Sequence, residues 1–268
     1  MVSAPNIENM IVFSDLDGTL LDHQTYSHAA ANTALDQLHQ LNIPLILASS
    51  KTAAEIIPLR AELGFAHCEA IVENGSGILE GLDGTGDSED KYQLIRQALD
   101  ELPPRLRCKY QAFGDWTPEE LSERTGLSLF DAENAKTRRF SEPGLWLGNE
   151  EDKGDFVVAL SESGLTAQQG GRFMTLSFGG NKAERMLEIA SRYAKGGENP
   201  FIVALGDASN DLAMIEQADL GVIIPNPAHR GLPRCPGEAT GQIIRAKSFG
   251  PKGWNEIIMS LLNTAAKK

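Results

Sequence analysis

The sequence predicts an α/β protein in which a parallel sheet is interrupted by an inserted second domain. Towards both ends of the chain, short apolar runs alternate with amphipathic segments of helical spacing, a pattern that favours parallel strands joined by right-handed crossovers. In the middle, this alternation gives way to shorter mixed segments. We therefore predict a Rossmann-like core formed by residues 1–80 and 179–268, with residues 81–178 inserted as an α+β cap.

The core elements follow one another as strand and helix in both parts. In residues 29–41, for example, apolar side chains recur at the spacing of one helical face. The apolar runs on either side of this segment are typical of buried strands. Strands are predicted at residues 10–13, 43–48, 71–72, 201–205 and 221–224, and helices at residues 29–41, 53–63, 182–193 and 211–217.

The predicted cap begins with a loop-like segment rich in Gly and Asp. Helices are expected at residues 92–102, 118–125, 128–136 and 152–163, and strands at residues 109–113, 145–148, 165–169 and 172–178, with the last two joined at Gly170-Gly171. The pair Pro103-Pro104 ends the first of these helices. Insertions of this kind often act as lids that exclude water from an active site.

Composition excludes several classes of partner. The chain has a formal net charge of −13 and a pI of about 4.9. This charge argues against a broad basic surface of the kind that binds nucleic acids or acidic membranes. No stretch approaches the ~20 apolar residues of a membrane span, and the first ten residues do not resemble an export signal. The three cysteines are widely spaced, which favours free thiols. We expect a cytoplasmic protein, and the sequence does not indicate its oligomeric state.

Two carboxylates, Asp15 and Asp17, follow directly after the first predicted strand. The carboxyl ends of strands are where open α/β sheets bind ligands. At such a place one carboxylate can attack a bound group while the other moves protons. Gly18 permits unusual backbone dihedrals, and the Thr19 hydroxyl can hold the turn. An ordinary turn after a strand is the alternative, and this motif alone does not decide between them.

Other strand and helix ends carry groups that suit phosphate or metal. Ser49 follows the second strand and either holds a phosphate oxygen or caps a helix. Lys182 begins a helix, where the helix dipole disfavours a cation, so it is either a binding group or a solvated lysine. Asp207 and Asp211 follow the strand at 201–205, where a capped helix start is the alternative. Their coincidence with the first motif favours a shared site.

The order of these motifs, D-x-D-G-T at Asp15, a hydroxyl at Ser49, Lys182 and G-D-x-x-N-D at Asp207, resembles that of haloacid dehalogenase-type phosphatases. The resemblance implies phosphomonoester hydrolysis through an aspartyl-phosphate. Asp15 would attack phosphorus, while Asp17 would protonate the leaving oxygen and later activate water.

The same resemblance implies a set of binding residues. Ser49 and Lys182 would hold the transferring phosphoryl group. Mg²⁺, which suits an oxygen-only site, would be bound by Asp15, Asp17, Asp207 and Asp211, with Asp17 contributing its backbone carbonyl and Asp211 acting directly or through another ligand.

The cap resembles that of the sugar-phosphatase branch, and residues 49–52, 71–75, 139–143 and 170–173 resemble mannosyl-3-phosphoglycerate phosphatases. This implies a small phosphorylated sugar derivative, mannosyl-3-phosphoglycerate, as the substrate. Arg139 and Arg172, with Arg138 beside them, are candidates for a substrate carboxylate, and Ser141 and Glu142 for sugar hydroxyls. Exposed arginines and a simple turn before Pro143 are the alternatives.

Three other functions stay open at this point. A broader sugar- or nucleotide-phosphatase would use the same chemistry. A phosphomutase would return the phosphoryl group to its substrate, and a sugar-phosphate-binding protein would not react at all. Kinase activity is not supported, because the G-x-x-x-x-G-K-[ST] nucleotide loop is missing.

Overall fold

A computed structural model describes residues 7–81, 91–170, 172–228 and 231–265. Most of the predicted Gly/Asp-rich loop, and Gly171 of the predicted hairpin, lie outside these ranges. The strands are β1 (Met10–Ser14), β2 (Leu45–Ala48), β3 (Ala70–Val72), β4 (Gly77–Leu79), β5 (Tyr110–Ala112), β6 (Ser141–Trp146), β7 (Thr166–Gly170), β8 (Phe173–Ser177), β9 (Phe201–Gly206), β10 (Leu220–Ile223) and β11 (Ile243–Arg245). The helices are α1 (Asn32–Gln40), α2 (Ala53–Glu62), α3 (Lys91–Asp100), α4 (Pro104–Arg107), α5 (Pro118–Thr125), α6 (Leu129–Lys136), α7 (Glu150–Glu162), α8 (Lys182–Arg192), α9 (Leu212–Gln217), α10 (Gly237–Thr240) and α11 (Gly250–Ala265). None of the helices in these ranges combines the length and apolar character needed to cross a membrane.

The larger sheet has seven strands in the order β11-β10-β9-β1-β2-β3-β4. Its strands pair in parallel except for β4, which pairs antiparallel with β3. This sheet confirms the predicted α/β class. β1 lies at its centre, and Ser14 is in register with Leu47 of β2 and Leu205 of β9. The residues that follow these three strands, which include Asp15, Ser49 and Asp207, therefore meet at one edge.

The smaller sheet has four antiparallel strands in the order β5-β6-β8-β7. Helices α3 and α7 cover it with an apolar cluster that includes Ile95, Leu99 and Phe156. A separate cluster, with Phe113 and Leu121, lies under α5 and α6. All four strands fall within the predicted insertion, and we propose residues 1–80, 81–178 and 179–268 as the first core part, the cap and the second core part.

Several observed elements were not predicted, including β4, β11, α4 and α10, and two regions show the physical reason for the difference. β6 begins at Ser141, four residues before the predicted strand. The start of this strand was not predicted because the Pro143-Gly144 pair is typical of a turn. Pro143 nevertheless lies in register with Thr175 of β8. The final helix, α11, was not predicted because glycines and a proline occupy its first turn. It packs on α1 and buries Trp254 completely.

The three cysteines give a direct test of this packing. Cys68 and Cys235 are buried, whereas Cys108 is exposed. Burial raises the pKa of the Cys68 thiol to about 11 and also raises the pKa of Cys235. Because the thiolate is the reactive form, we expect Ellman's reagent to titrate about one thiol in the native chain and all of them in denaturant. Cys108→Ser should remove the native reaction, and rapid reaction of a second thiol in the folded protein would contradict the packing.

The cytoplasmic location stays a prediction.

Candidate active site

Three carboxylates meet at the carboxyl edge of the larger sheet. Asp15 follows β1 and Asp207 follows β9, while Asp211 lies one turn further along the chain. All three are buried, and one carboxylate oxygen of each lies within 4.8 Å of the others. The backbone N–H of Asp15 donates to the carbonyl of Leu205 at 2.9 Å, which extends the pairing of β1 with β9 to this carboxyl edge. The sheet thus brings together acidic groups that are far apart in sequence.

Lys182 supplies the positive charge inside this cluster. Its side chain is 1% exposed, and Nζ donates to Oδ1 of Asp15 and to Oδ1 of Asp211, both at 2.6 Å. Burial opposes the charge on Lys182, but the two carboxylates outweigh it and raise the lysine's pKa. These partners explain why a cation stands at the first position of α8, where the helix dipole disfavours it.

A close approach between two backbone segments fixes the position of Lys182. Gly75 has φ of +92°, and a Cβ built on it would lie 2.5 Å from the backbone N of Lys182. Only glycine allows this contact without displacing the start of α8. The side chain of Asn181 caps the helix by accepting a hydrogen bond from the Glu184 N–H at 2.9 Å. The turn after β3 and this cap together aim the lysine into the site.

Asp207 is held by two donors on other elements. Thr19 Oγ1 donates to Oδ1 at 3.2 Å, and Asn226 Nδ2 donates to Oδ2 at 2.7 Å. Gly18, with φ of +86°, makes room for this arrangement, since a Cβ there would lie 2.1 Å from Asn226 Nδ2. Sequence analysis missed Asn226. Its signal was its position just after β10, another strand that ends at the same edge.

Asp17 occupies a different environment from Asp15. Its side chain is 38% exposed, and Oδ2 lies 3.2 Å from Nζ of Lys51. Its other oxygen, Oδ1, is buried and makes no hydrogen bond among the described residues. The side chain of Asp17 is therefore outside the acidic cluster, as expected for a residue that would reach the metal only through its backbone carbonyl. Ser49 is buried at the end of β2, where its hydroxyl accepts from the Lys51 N–H at 3.2 Å.

The acidic cluster fits a divalent cation with oxygen ligands. Burial and the neighbouring charge of Asp211 raise the pKa of Asp15, despite the opposing effect of Lys182. Three buried carboxylates thus surround a single ammonium group, and a bound cation would reduce the repulsion among them. Among the described residues, the atoms that could bind a metal here are carboxylate oxygens of Asp15, Asp207 and Asp211. Oxygen is the ligand type that hard cations prefer. The residues that the sequence assigned to a metal through their side chains thus lie together.

Glu73 joins the cap to the core. The backbone N–H groups of Arg139 and Phe140 donate to its two carboxylate oxygens at 2.8 and 3.1 Å, and Ser141 Oγ donates at 2.7 Å. The guanidinium of Arg138 lies 3.3 Å from the same carboxylate. Glu73 is fully buried and has φ of +49°, a strained conformation for a non-glycine residue. Sequence analysis missed this function of Glu73.

This joint changes the interpretation of Ser141. The side chain is fully buried, and its hydroxyl also accepts from Arg138 at 2.9 Å. These contacts place Ser141 in the joint between core and cap, and its contact with a sugar hydroxyl stays a prediction. Arg139 is half-buried and lies over the Phe140 ring, and its contact with substrate stays a prediction.

The other predicted cap residues lie elsewhere in the cap. Arg172 is exposed, donates to the carbonyl of Arg124 at 2.6 Å and lies over the Phe173 ring. Glu142 is buried, where its carboxylate accepts from Tyr92 and Arg96 at 2.8 and 3.1 Å. These contacts satisfy Glu142 within the cap. Substrate binding by Arg172 stays a prediction.

Glu73→Gln tests the joint. The glutamine carries no charge, and its NH₂ group opposes the donors that now point at the carboxylate. We expect the free energy of unfolding to fall by about 1–3 kcal/mol, the usual effect of disrupting hydrogen bonds to a buried charged group. Urea denaturation measures it, with Glu123→Gln on the exposed surface of α5 as the control. Equal stability of the two variants would contradict the importance of the joint.

Comparison with known proteins agrees with this geometry. Residues 12–102 and 151–234 match the family described as haloacid dehalogenase-like hydrolase. A glucosyl-3-phosphoglycerate/mannosyl-3-phosphoglycerate phosphatase of Persephonella marina is 34% identical over 270 residues, covering 95% of this chain and 97% of the relative. A protein of the same name from Methanococcoides burtonii is 32% identical over 267 residues, covering 94% and 97%.

Solved structures agree in fold. A phosphatase of the haloalkanoate enzyme superfamily from Bacteroides thetaiotaomicron has a TM-score of 0.66 at 18% identity, covering 98% of this chain and 97% of its own. The sucrose-phosphatase of Synechocystis has a TM-score of 0.58 at 15% identity, covering 94% and 98%.

The sheet, its acidic edge and these matches define the class: the chain belongs to the haloacid dehalogenase-like hydrolases. The predicted resemblance and fold class are confirmed. Within this family the chain is a phosphatase, which is the activity that both curated relatives carry.

Proposed function

We propose that this phosphatase removes the phosphate of a glycosyl-3-phosphoglycerate, with mannosyl-3-phosphoglycerate as the preferred substrate and mannosylglycerate and phosphate as products. The observation that supports the chemistry is the contact of Asp15 with Lys182 inside the buried acidic cluster. The observation that supports the substrate is the similarity to two relatives named for it, at 34% and 32% identity over nearly the whole chain.

Asp15 is the nucleophile in this proposal. Its carboxylate forms a bond to phosphorus while the bond from phosphorus to the C3 oxygen of the glycerate breaks, which leaves an aspartyl-phosphate. Lys182 lies 2.6 Å from Asp15, where it orients the nucleophile. Its positive charge also stabilises the negative charge of the phosphoryl group during transfer. The buried hydroxyl of Ser49 donates to a phosphate oxygen from the end of β2. Water then displaces Asp15 from phosphorus and releases phosphate.

Asp17 moves the protons in both steps. It gives a proton to the leaving oxygen and then takes one from the attacking water, so it returns to its starting state. Its side chain is 38% exposed, in contrast to the buried Asp15, so it can face the leaving group and solvent. The oxygen Oδ1, which makes no hydrogen bond to any residue that the structure describes, is the atom that we assign to this exchange.

Mg²⁺ is the metal that we propose for the acidic cluster. Asp15 and Asp207 would bind it through carboxylate oxygens, Asp17 through its carbonyl, and Asp211 directly or by orienting another ligand. When bound, it neutralises the charge that makes a carboxylate and a phosphate dianion repel each other.

Phosphate release from a substrate panel tests the proposal. The panel contains mannosyl- and glucosyl-3-phosphoglycerate, hexose phosphates and nucleotides, each with Mg²⁺ and with EDTA. We expect release to depend on Mg²⁺ and kcat/KM to be about 100-fold higher for a glycosyl-3-phosphoglycerate than for hexose phosphates, because charged and polar contacts to the larger substrate add specificity.

Each alternative function gives a different result in the same panel. Comparable hydrolysis of hexose phosphates or nucleotides would indicate a broader phosphatase. Isomerised sugar phosphate without free phosphate would indicate a mutase, and no reaction with any compound would indicate a binding protein.

A further inference from the structure

Lys51 is a cation beside the candidate active site, and the proposed chemistry gives it no role. It lies two residues after Ser49 in the loop between β2 and α2, and Nζ is 3.2 Å from Oδ2 of Asp17. The Lys51 side chain is 20% exposed, in contrast to the completely enclosed Lys182. It also lies 3.8 Å from Glu55 and over the ring of Tyr26. Lys51 therefore stands beside the proposed proton donor and still reaches solvent.

The position of Lys51 matches the chemistry of a phosphoglycerate. In such a substrate three covalent bonds separate the leaving oxygen from the carboxyl carbon, a separation of roughly 4 Å or less. A substrate whose leaving oxygen contacts Asp17 must therefore bring its carboxylate close to the groups around Asp17. An ammonium group has three donors, so Lys51 can contact this carboxylate and Asp17 together.

We propose that Lys51 binds the substrate carboxylate and thereby selects phosphoglycerate derivatives over uncharged sugar phosphates. This inference rests on the proposed function, because it assigns the group that recognises the acid part of that substrate. It assigns the carboxylate to a different cation from Arg138 and Arg172, two of the three arginines considered from sequence. Arg138 is engaged by Glu73 and Ser141, and Arg172 makes its contacts within the cap.

Two small phosphate compounds isolate the carboxylate. 3-Phosphoglycerate carries it, whereas glycerol 3-phosphate has an alcohol at the same place. Both are tested as inhibitors of 4-nitrophenyl phosphate hydrolysis with Mg²⁺ present, in wild type, Lys51→Met, Lys51→Arg and Arg172→Met. The ratio of the two inhibition constants within one variant cancels any general change in turnover, and calorimetric titration gives the same ratio if turnover is too slow.

We expect wild type to bind 3-phosphoglycerate about tenfold more tightly than glycerol 3-phosphate, as a charge-assisted contact predicts. Lys51→Met should reduce this preference to about twofold or less, Lys51→Arg should keep part of it, and Arg172→Met should keep all of it. Two results would overturn the inference: no preference in wild type, or a preference that Lys51→Met retains.

The proposed function fails by a different result. If the preference depends on Lys51 but neither glycosyl-3-phosphoglycerate is hydrolysed, the carboxylate site stands and the proposed substrate is wrong. If both are hydrolysed while Lys51→Met retains the preference, the substrate stands and another cation binds its carboxylate.

Discussion

Asp15→Asn is expected to abolish turnover of a small aryl phosphate, lowering kcat on the order of 10⁴-fold or more, as loss of a catalytic nucleophile does elsewhere. The amide retains the shape of the side chain but cannot form the aspartyl-phosphate. Turnover of 4-nitrophenyl phosphate with Mg²⁺ measures the loss. Asp36→Asn, an exposed change on α1, should leave turnover unchanged.

The same variant should remain folded. Burial and the charge of Asp211 already disfavour the ionised form of Asp15, and they raise its pKa. A neutral amide at this position therefore relieves repulsion, and in EDTA we expect the free energy of unfolding to stay the same or rise. Normal turnover by an Asp15→Asn protein whose mass excludes deamidation would remove Asp15 as the nucleophile.

Lys182→Met is expected to reduce both activity and stability. Without the ammonium group, Asp15 and Asp211 lose a contact at 2.6 Å and face each other across a buried space. We expect kcat to fall about 10³-fold because charge stabilisation at phosphorus is lost. In EDTA, the free energy of unfolding should fall by about 3 kcal/mol, the lower end for removing one partner of a buried ion pair.

Metal gives this prediction a further check. A cation bound among the carboxylates opposes the same repulsion, so Mg²⁺ should recover part of the lost stability of Lys182→Met but not its activity. Lys252→Met, on the exposed side of α11, is the matched control. Equal stability of Lys182→Met and Lys252→Met in EDTA would contradict the structural importance that we assign to Lys182.

The acidic edge of the larger sheet was predictable because local sequence patterns mark its residues. Asp15 and Asp207 each follow an apolar run, and Lys182 stands where a helix disfavours a cation. Parallel pairing of β1 with β9 then brings Asp15 and Asp207 to the same edge. Sequence order and strand alternation were sufficient for this part, since both act over short stretches of chain.

Contacts between distant segments were not predictable in the same way. Glu73 looks like part of a turn, and only the folded chain shows it accepting hydrogen bonds from Arg139 and Ser141 in the cap. Asn226 likewise binds Asp207 from a loop between two prolines. No periodicity or spacing in the sequence indicates that these residues contact one another, because tertiary packing alone brings them together. The contact between Lys51 and Asp17 was not predicted for the same reason.

The central claim is that phosphate passes through Asp15. The most direct test is to quench the enzyme during turnover of a glycosyl-3-phosphoglycerate, reduce it with borohydride and map the product by mass spectrometry. An aspartyl-phosphate is reduced to homoserine, so we predict homoserine at position 15 in turning-over enzyme and none in enzyme without substrate. Homoserine at another aspartate, or none while phosphate is released at the normal rate, would contradict the account.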